Sequence, residues 1–276
     1  MVDGVVLNME SKFVQTGKVS LEYFEQGHAS ETLLLVHGYQ SSAAIWRYTL
    51  ECLPEDRFRV IVLNNRGAGQ SDQSSSDGRF NEEDYSVETF AQDLFDVVDV
   101  LNLEKFTLIG HSMGGATVAQ FALEHQERIK GLVLMNPAPL NGRPLKDGWE
   151  EEMRESLQTA GPPEGDMGFH ARHVSDSFKK AVLSDIEKNP VERFIGGRKS
   201  MSALRLRDRL HEIDVPTLVI GSDQDTTVDV GNILAEFQAL SNGQRHLHIY
   251  HGIGHSPNVE VPCSVASIIQ EFCQRS

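Results

Sequence analysis

The hexapeptide Gly110-His111-Ser112-Met113-Gly114-Gly115 constrains this chain more than any other stretch. It follows the apolar run Phe106-Thr107-Leu108-Ile109 and opens a segment of helical periodicity, so a strand has to turn sharply into a helix at Ser112. Glycines at 110 and 114 remove the side chains that such a turn would crowd. The turn presents the Ser112 hydroxyl to a cleft, and the first N–H groups of the helix are aimed where a developing negative charge can be held. A G-x-S-x-G match gains its meaning from this context, a strand before it and a helix after it. The spacing does not fit G-x-G-x-x-G, and no acidic residue ends the next strand at Leu132–Met135, so a dinucleotide site is excluded.

At 276 residues the chain is long enough for one large α/β domain with an insertion, or for two small domains. A formal charge of −15 opposes nucleic acid and anionic membrane surfaces, which leaves a small molecule as the expected partner. The three cysteines, Cys52, Cys263 and Cys273, are odd in number and lack a C-x-x-C spacing. Reduced, buried thiols are therefore expected rather than a disulfide framework or a zinc site. The segment Met1–Glu10 has neither a basic start nor a long apolar run, and no stretch of about 18 apolar residues occurs. These features predict a soluble, cytoplasmic protein without a membrane partner, and they leave its oligomeric state open.

Strand-like and helix-like segments alternate, as expected of a mainly parallel sheet with helices on both faces. The start differs: Phe13–Thr16 and Val19–Glu25, joined through Gly17-Lys18, predict an antiparallel pair. Further strands are predicted at Leu33–Val36, Arg59–Leu63, Gly131–Met135, Thr217–Ile220 and His246–Tyr250. Val87, Phe90, Ala91, Leu94, Val97, Val98 and Leu101 mark an amphipathic helix, and Val265, Ile268, Ile269 and Phe272 mark a terminal one. Between Pro137 and Leu210 the strand rhythm stops. Trp149, Met153 and Leu157, then Phe178, Val182 and Ile186, recur at helical spacing on either side of the loop Gly161–Gly165. The predicted organisation is a core over 1–137, a helical cap over 138–208 that roofs the carboxyl end of the sheet, and a core continued over 209–276.

On these residues the chain resembles the α/β-hydrolase family, whose chain order is Ser, then Asp or Glu, then His. The strand Thr217–Ile220 runs into Gly221-Ser222-Asp223-Gln224-Asp225, which is similar to the family's acid turn. Gly252-Ile253-Gly254-His255-Ser256-Pro257 is similar to its histidine loop. Asp223 and Asp225 compete for the acid; the family's small apolar residue three positions on is matched by Val228 for Asp225. His251 is the alternative to His255. The resemblance implies Ser112 as nucleophile, His255 as general base and acid, and Asp225 as the group that orients the imidazole. It implies an oxyanion hole from the backbone N–H groups of Tyr39 and Met113, with no cofactor and no metal. His37 and His111 are read as structural. The family's D-x-R-G-x-G-x-S segment is here Asn64-Asn65-Arg66-Gly67-Ala68-Gly69-Gln70-Ser71, so its leading acid is missing and a local salt bridge is in question. Trp46, Leu140, Trp149, Phe169 and Val228 are candidates for an enclosed, apolar substrate pocket.

The implied activity is cleavage of a carboxylic ester or lactone of a small, fairly apolar substrate through an acyl-enzyme. Thioesterase, amidase and acyl-homoserine-type acylase activities share that chemistry. Ser112 excludes the branches with an aspartate nucleophile. Carbon–carbon bond hydrolases of the family usually carry tryptophan after the histidine, where this chain has Ser256, and that activity stays as an alternative. A small-molecule receptor and a perhydrolase are alternatives on the same scaffold. His246-Leu247-His248-Ile249-Tyr250-His251 has the spacing of a metallohydrolase H-x-H-x-D-H motif, with Tyr250 at the aspartate position and hence an incomplete ligand set.

Overall fold

In the computed structural model, residues 9–75, 78–159, 174–241 and 243–275 are described. The main sheet has eight strands: β1 (Lys12–Gln15), β2 (Ser20–Gln26), β3 (Glu31–Val36), β4 (Phe58–Leu63), β5 (Phe106–His111), β6 (Ile129–Met135), β7 (Thr217–Ser222) and β8 (Arg245–Tyr250). Their spatial order is β1-β2-β4-β3-β5-β6-β7-β8. The β1–β2 and β2–β4 pairings are antiparallel and the rest parallel, as the opening hairpin and the later apolar runs predict. Order matters here. From β3 the chain steps outward to β4 and then returns to the other side of β3 to lay down β5. The carboxyl ends of β3 and β5 therefore flank a topological switch point, where an open α/β sheet leaves a crevice.

Side chains alternate across the central strands, and both sets are buried. Leu34, Val36, Ile61, Leu63 and Leu108 face a core shared with α2 (Val87–Val100) and α3 (Met113–His125). Leu33, Leu35, Val60, Val62 and Ile109 face a second core with α1 (Arg47–Glu51) and the terminal helix. Burial on both faces is why these strands read as unbroken apolar runs. Truncating a fully buried ring such as Phe121 to alanine would cost about 3–5 kcal/mol.

Between β6 and β7 lie α4 (Trp149–Thr159), α5 (Asp176–Glu187) and α6 (Val191–Ala203). The third of these carries no apolar stripe in the sequence, because the consecutive residues Arg193–Gly197 are all buried. Gly196 is needed there: a Cβ would come within 1.9 Å of the Glu82 carbonyl oxygen. The chain closes through α7 (Val230–Ala239), α8 (Pro257–Glu260) and α9 (Pro262–Arg275). Among the described residues, no helix is long and apolar enough to cross a membrane.

The cysteine expectation needs correction. Cys52 and Cys263, 211 residues apart in sequence, form a disulfide with a Cα–Cα distance of 5.1 Å. The end of α1 packs against the start of α9, a proximity that neither cysteine count nor local spacing contains. Cys273 matches the expectation: it is a free, buried thiol whose pKa burial pushes up to about 11.

Candidate active site

Ser112 joins β5 directly to α3 with φ 57° and ψ −120°, a left-handed conformation that costs a non-glycine residue about 1–3 kcal/mol. The surroundings hold it there. Its N–H donates to the Met135 carbonyl at 3.0 Å, and its own carbonyl accepts from the Ala138 N–H at 2.9 Å. Side chains are excluded where the backbones converge. A Cβ at Gly114 would meet the Val36 and His37 carbonyl oxygens at 2.5 Å, and one at Gly38 would lie 2.9 Å from the Ser112 Cβ. The loop after β3 thus runs against the serine. Met113 opens α3, so its N–H belongs to the first turn, which has no acceptor inside the helix. This is where the sequence puts one oxyanion donor, with Tyr39 across the gap as the other.

The Asp225 carboxylate, its side chain fully buried, is filled by four donors. Oδ1 accepts from the Thr227 and Val228 N–H groups at 2.7 and 2.8 Å. Oδ2 accepts from Asn136 Nδ2 and from His255 Nδ1, each at 2.7 Å. Burial alone would raise the Asp225 pKa, but the His255 ring, Asn136 and the Val228 N–H hold the carboxyl below its ordinary value. With Nδ1 committed, Nε2 is the His255 nitrogen left to exchange a proton in the cavity. The competing residues pair with each other instead: His251 Nδ1 meets Asp223 Oδ2 at 2.6 Å on the surface.

The loop after β3 is fixed from three sides. His37 donates from Nδ1 to the Gly38 carbonyl at 2.8 Å and accepts the Asn65 N–H on Nε2 at 3.2 Å. Burial drives its pKa down to about 3, so the ring is neutral. The Tyr39 hydroxyl donates to the Phe194 carbonyl at 2.6 Å, and burial pushes its pKa up to about 12. A Cβ at Gly197 would stand 3.2 Å from the Tyr39 ring, so α6 approaches that ring closely because this position is glycine. Arg193, buried and lowered to about 10 by that burial, donates to the Ser41 carbonyl at 3.2 Å and to Asn189 at 2.5 Å. His111 lies beneath His255 with ring centroids 4.8 Å apart, and its Nε2 donates to the His255 carbonyl at 2.9 Å. It too is lowered by burial to about 3.

Asn64 accounts for the missing leading acid. Its Oδ1 accepts from the Ala43 N–H at 2.6 Å while its Nδ2 donates to Glu22 at 2.7 Å, bridging two elements as a neutral group. Arg66 does not need an acid at position 64, because it is engaged by buried Asp93 through contacts of 2.6 and 2.7 Å. Burial outweighs that pairing and leaves the Asp93 pKa raised.

Ser112 and His255 both line a cavity of about 290 Å³ above the carboxyl ends of the strands. Of the residues expected in its wall, Val228 lies there and three others do not. Trp46 is wholly buried behind the elbow, edge-on to His111 at 6.5 Å. Leu140 is buried in the core shared with α3, its N–H bound to Glu236 at 3.0 Å. Trp149 begins α4, where its neighbour one turn on, Met153, reaches the cavity instead. Phe169 lies outside the described residues. Sequence reasoning missed Gln40, Arg143, Arg198 and Ser202 in the wall. The only signal for Arg198 and Ser202 was their four-residue spacing on a helix that has no apolar stripe. The surface histidines are dispersed: the His246 ring packs edge-on to Phe272, His248 meets Tyr250, and His251 is held by Asp223. Among the described residues, no three His, Cys, Asp or Glu side chains gather around a possible metal position.

A doubly wound sheet with an antiparallel start, a serine elbow at its switch point and a histidine–aspartate pair beside it define a class of fold. Residues 31–261 match the family model described as alpha/beta hydrolase fold, and the chain belongs to that family. It is 30% identical over 270 residues to a 2-hydroxy-6-oxononadienedioate/2-hydroxy-6-oxononatrienedioate hydrolase of Paraburkholderia xenovorans, covering 89% of each chain. It is 24% identical to a 3-oxoadipate enol-lactonase of Acinetobacter baylyi, covering 83% of each. The structure superposes on a thermophilic esterase from Thermogutta terrifontis with a TM-score of 0.80 and 25% identity, over 96% of this chain and 98% of that one. The chain is thus similar to hydrolases of several substrate types.

Proposed function

We propose that this protein is a serine hydrolase that cleaves a carboxylic ester or lactone of a small substrate through an acyl-enzyme. The observation that carries this reading is the 2.7 Å Asp225–His255 contact at the wall of the same cavity that Ser112 lines. In the proposed cycle, Ser112 Oγ attacks the carbonyl carbon while His255 Nε2 takes its proton. The carbonyl oxygen becomes an oxyanion held by the Tyr39 and Met113 N–H groups. Collapse expels the alcohol, which receives the proton from His255, and leaves an ester to Ser112. A water then adds to that ester, giving its proton to His255, and the acid departs as Ser112 recovers its hydrogen. For a lactone the leaving alcohol stays attached to the acyl group. Asp225 keeps the ring in the Nδ1–H tautomer and stabilises its cation. The helices of 138–208 serve as a cap, Met153, Val182, Ile186 and Met201 supplying an apolar roof.

Active-site labelling with a fluorophosphonate, followed by peptide mapping, tests the reading together with turnover of p-nitrophenyl esters and γ-lactones. Label on Ser112 with turnover supports it. Absence of both sinks it, and would turn attention to a receptor role. The 30% identity to the dienedioate hydrolase supports a second reading, hydrolysis of a 2-hydroxy-6-oxo acid. Faster turnover of such an acid than of any ester or lactone would favour it.

A further inference from the structure

We infer that the cavity takes a substrate bearing a carboxylate remote from its scissile carbonyl, and that Arg143 and Arg198 hold that carboxylate. The inference rests on the serine-hydrolase reading and narrows its substrate class. The two arginines line the cavity from separate elements, Arg143 from the loop after β6 and Arg198 from α6. On α6, Met201 and Ser202 line the cavity one turn beyond Arg198, so this helix face is the one turned to the substrate.

Three observations single out these arginines. First, among the described residues neither forms an ion pair or a hydrogen bond. The neighbouring cations Arg154 and Lys199 are each bound by Glu82 and Glu150, so carboxylates are plentiful nearby but are committed elsewhere. Second, no described aspartate or glutamate lines the cavity. Third, the whole chain carries a charge of −15, so a wall with two cations and no described acid runs against the protein's average. Arg143 and Arg198 are both exposed, so a ligand anion in the cavity can reach either one without first displacing a described protein partner. The planar fork of guanidinium fits a carboxylate bidentately, and the apolar wall strengthens the attraction. A wall that only had to receive a neutral acyl chain has no use for either charge. Local positive potential would also overcome the repulsion that an acidic protein exerts on an anion.

The test compares p-nitrophenyl hemiesters of glutaric and adipic acid with neutral p-nitrophenyl esters of matched length. In the wild type, kcat/KM for a hemiester should exceed that of its neutral match by about tenfold or more, the scale of one charge-assisted hydrogen bond. The ratio should fall as salt rises and should collapse toward one in the Arg143→Met/Arg198→Met protein, mainly through KM. Arg198→Lys should keep part of it. A wild-type ratio of one or less, or a ratio that survives the double substitution, overturns the inference. Calorimetric binding of adipate to the wild type and to the double variant gives a readout that needs no turnover. Adipate binding lost with the arginines, but no labelling of Ser112 and no ester cleaved, would leave the anion site standing and remove the hydrolase reading. Labelled Ser112 with a ratio of one would do the reverse.

Discussion

Two aspartate–histidine pairs link the loops after β7 and β8, and they differ almost entirely in what surrounds them. Asp225–His255 and Asp223–His251 have nearly equal contacts, 2.7 and 2.6 Å. The first pair is 0% and 7% exposed at its side chains, the second 29% and 94%. Asp225 faces inward because its Oδ1 caps the turn at Thr227 and Val228 and its Oδ2 reaches Asn136 on the end of β6. His255 is held from below by His111 and leads into α8, which is pinned to the segment preceding and within α1 by Thr49 Oγ1 on the Asn258 carbonyl and Asn258 Nδ2 on the Ile45 carbonyl. The outer pair is open to solvent, and neither of its residues lines the cavity that holds Ser112. The contrast teaches that the contact itself is ordinary; on the proposed reading, burial beside a strained serine is what distinguishes the pair that does chemistry.

The sharpest way to break the comparison is Ser112→Ala. On the proposed reading it lowers kcat by about 10⁶-fold, as removal of a triad nucleophile does, with the fold intact by circular dichroism. Activity within tenfold of the wild type would end the assignment. Next, Asp225→Asn should cost about 10⁴-fold in kcat by favouring the wrong imidazole tautomer. A loss of that size from Asp223→Asn instead would invert the comparison. Reducing the Cys52–Cys263 disulfide, or replacing both residues by alanine, should lower unfolding free energy by about 2–5 kcal/mol in urea titrations, since it closes a long loop beside α8. An unchanged midpoint would mean that the α1–α9 packing alone holds the histidine loop.

Acid should separate the buried platform from the surface. His37 and His111 titrate near 3 in the fold and near 6.5 when unfolded, so the unfolded chain binds more protons between those values. Their contribution is complete above pH 6.5 and declines as pH falls toward 3, by about 1.4 kcal/mol per pH unit for each ring. Urea midpoints measured from pH 7 to 5 should show this, and His111→Gln should reduce the slope. The smallest effect belongs to the surface pair: His251→Ala should leave kcat/KM within about twofold, and a larger loss would give the exposed pair a role.

Much of this was legible in sequence because it is local or periodic. The elbow at Gly110–Gly115, the parallel strands and the amphipathic α2 each carry a short-range pattern, and chain order placed Ser112, Asp225 and His255 as candidates before any contact was known. The acid remained contested, since Asp223 and Asp225 are two residues apart and only backbone direction in the turn points one of them inward. Other features had no local signal. The Cys52–Cys263 bridge, the use of α6 as a lining helix and the exclusion of Trp46 and Leu140 from the cavity follow from how distant segments pack. Sequence by itself determined the fold and the residue types available for chemistry, because strand and helix periodicities record which faces are buried. Tertiary structure decided which of two equivalent pairs is enclosed, and which side chains meet the substrate space, because those depend on convergence of loops from five strands at one end of the sheet.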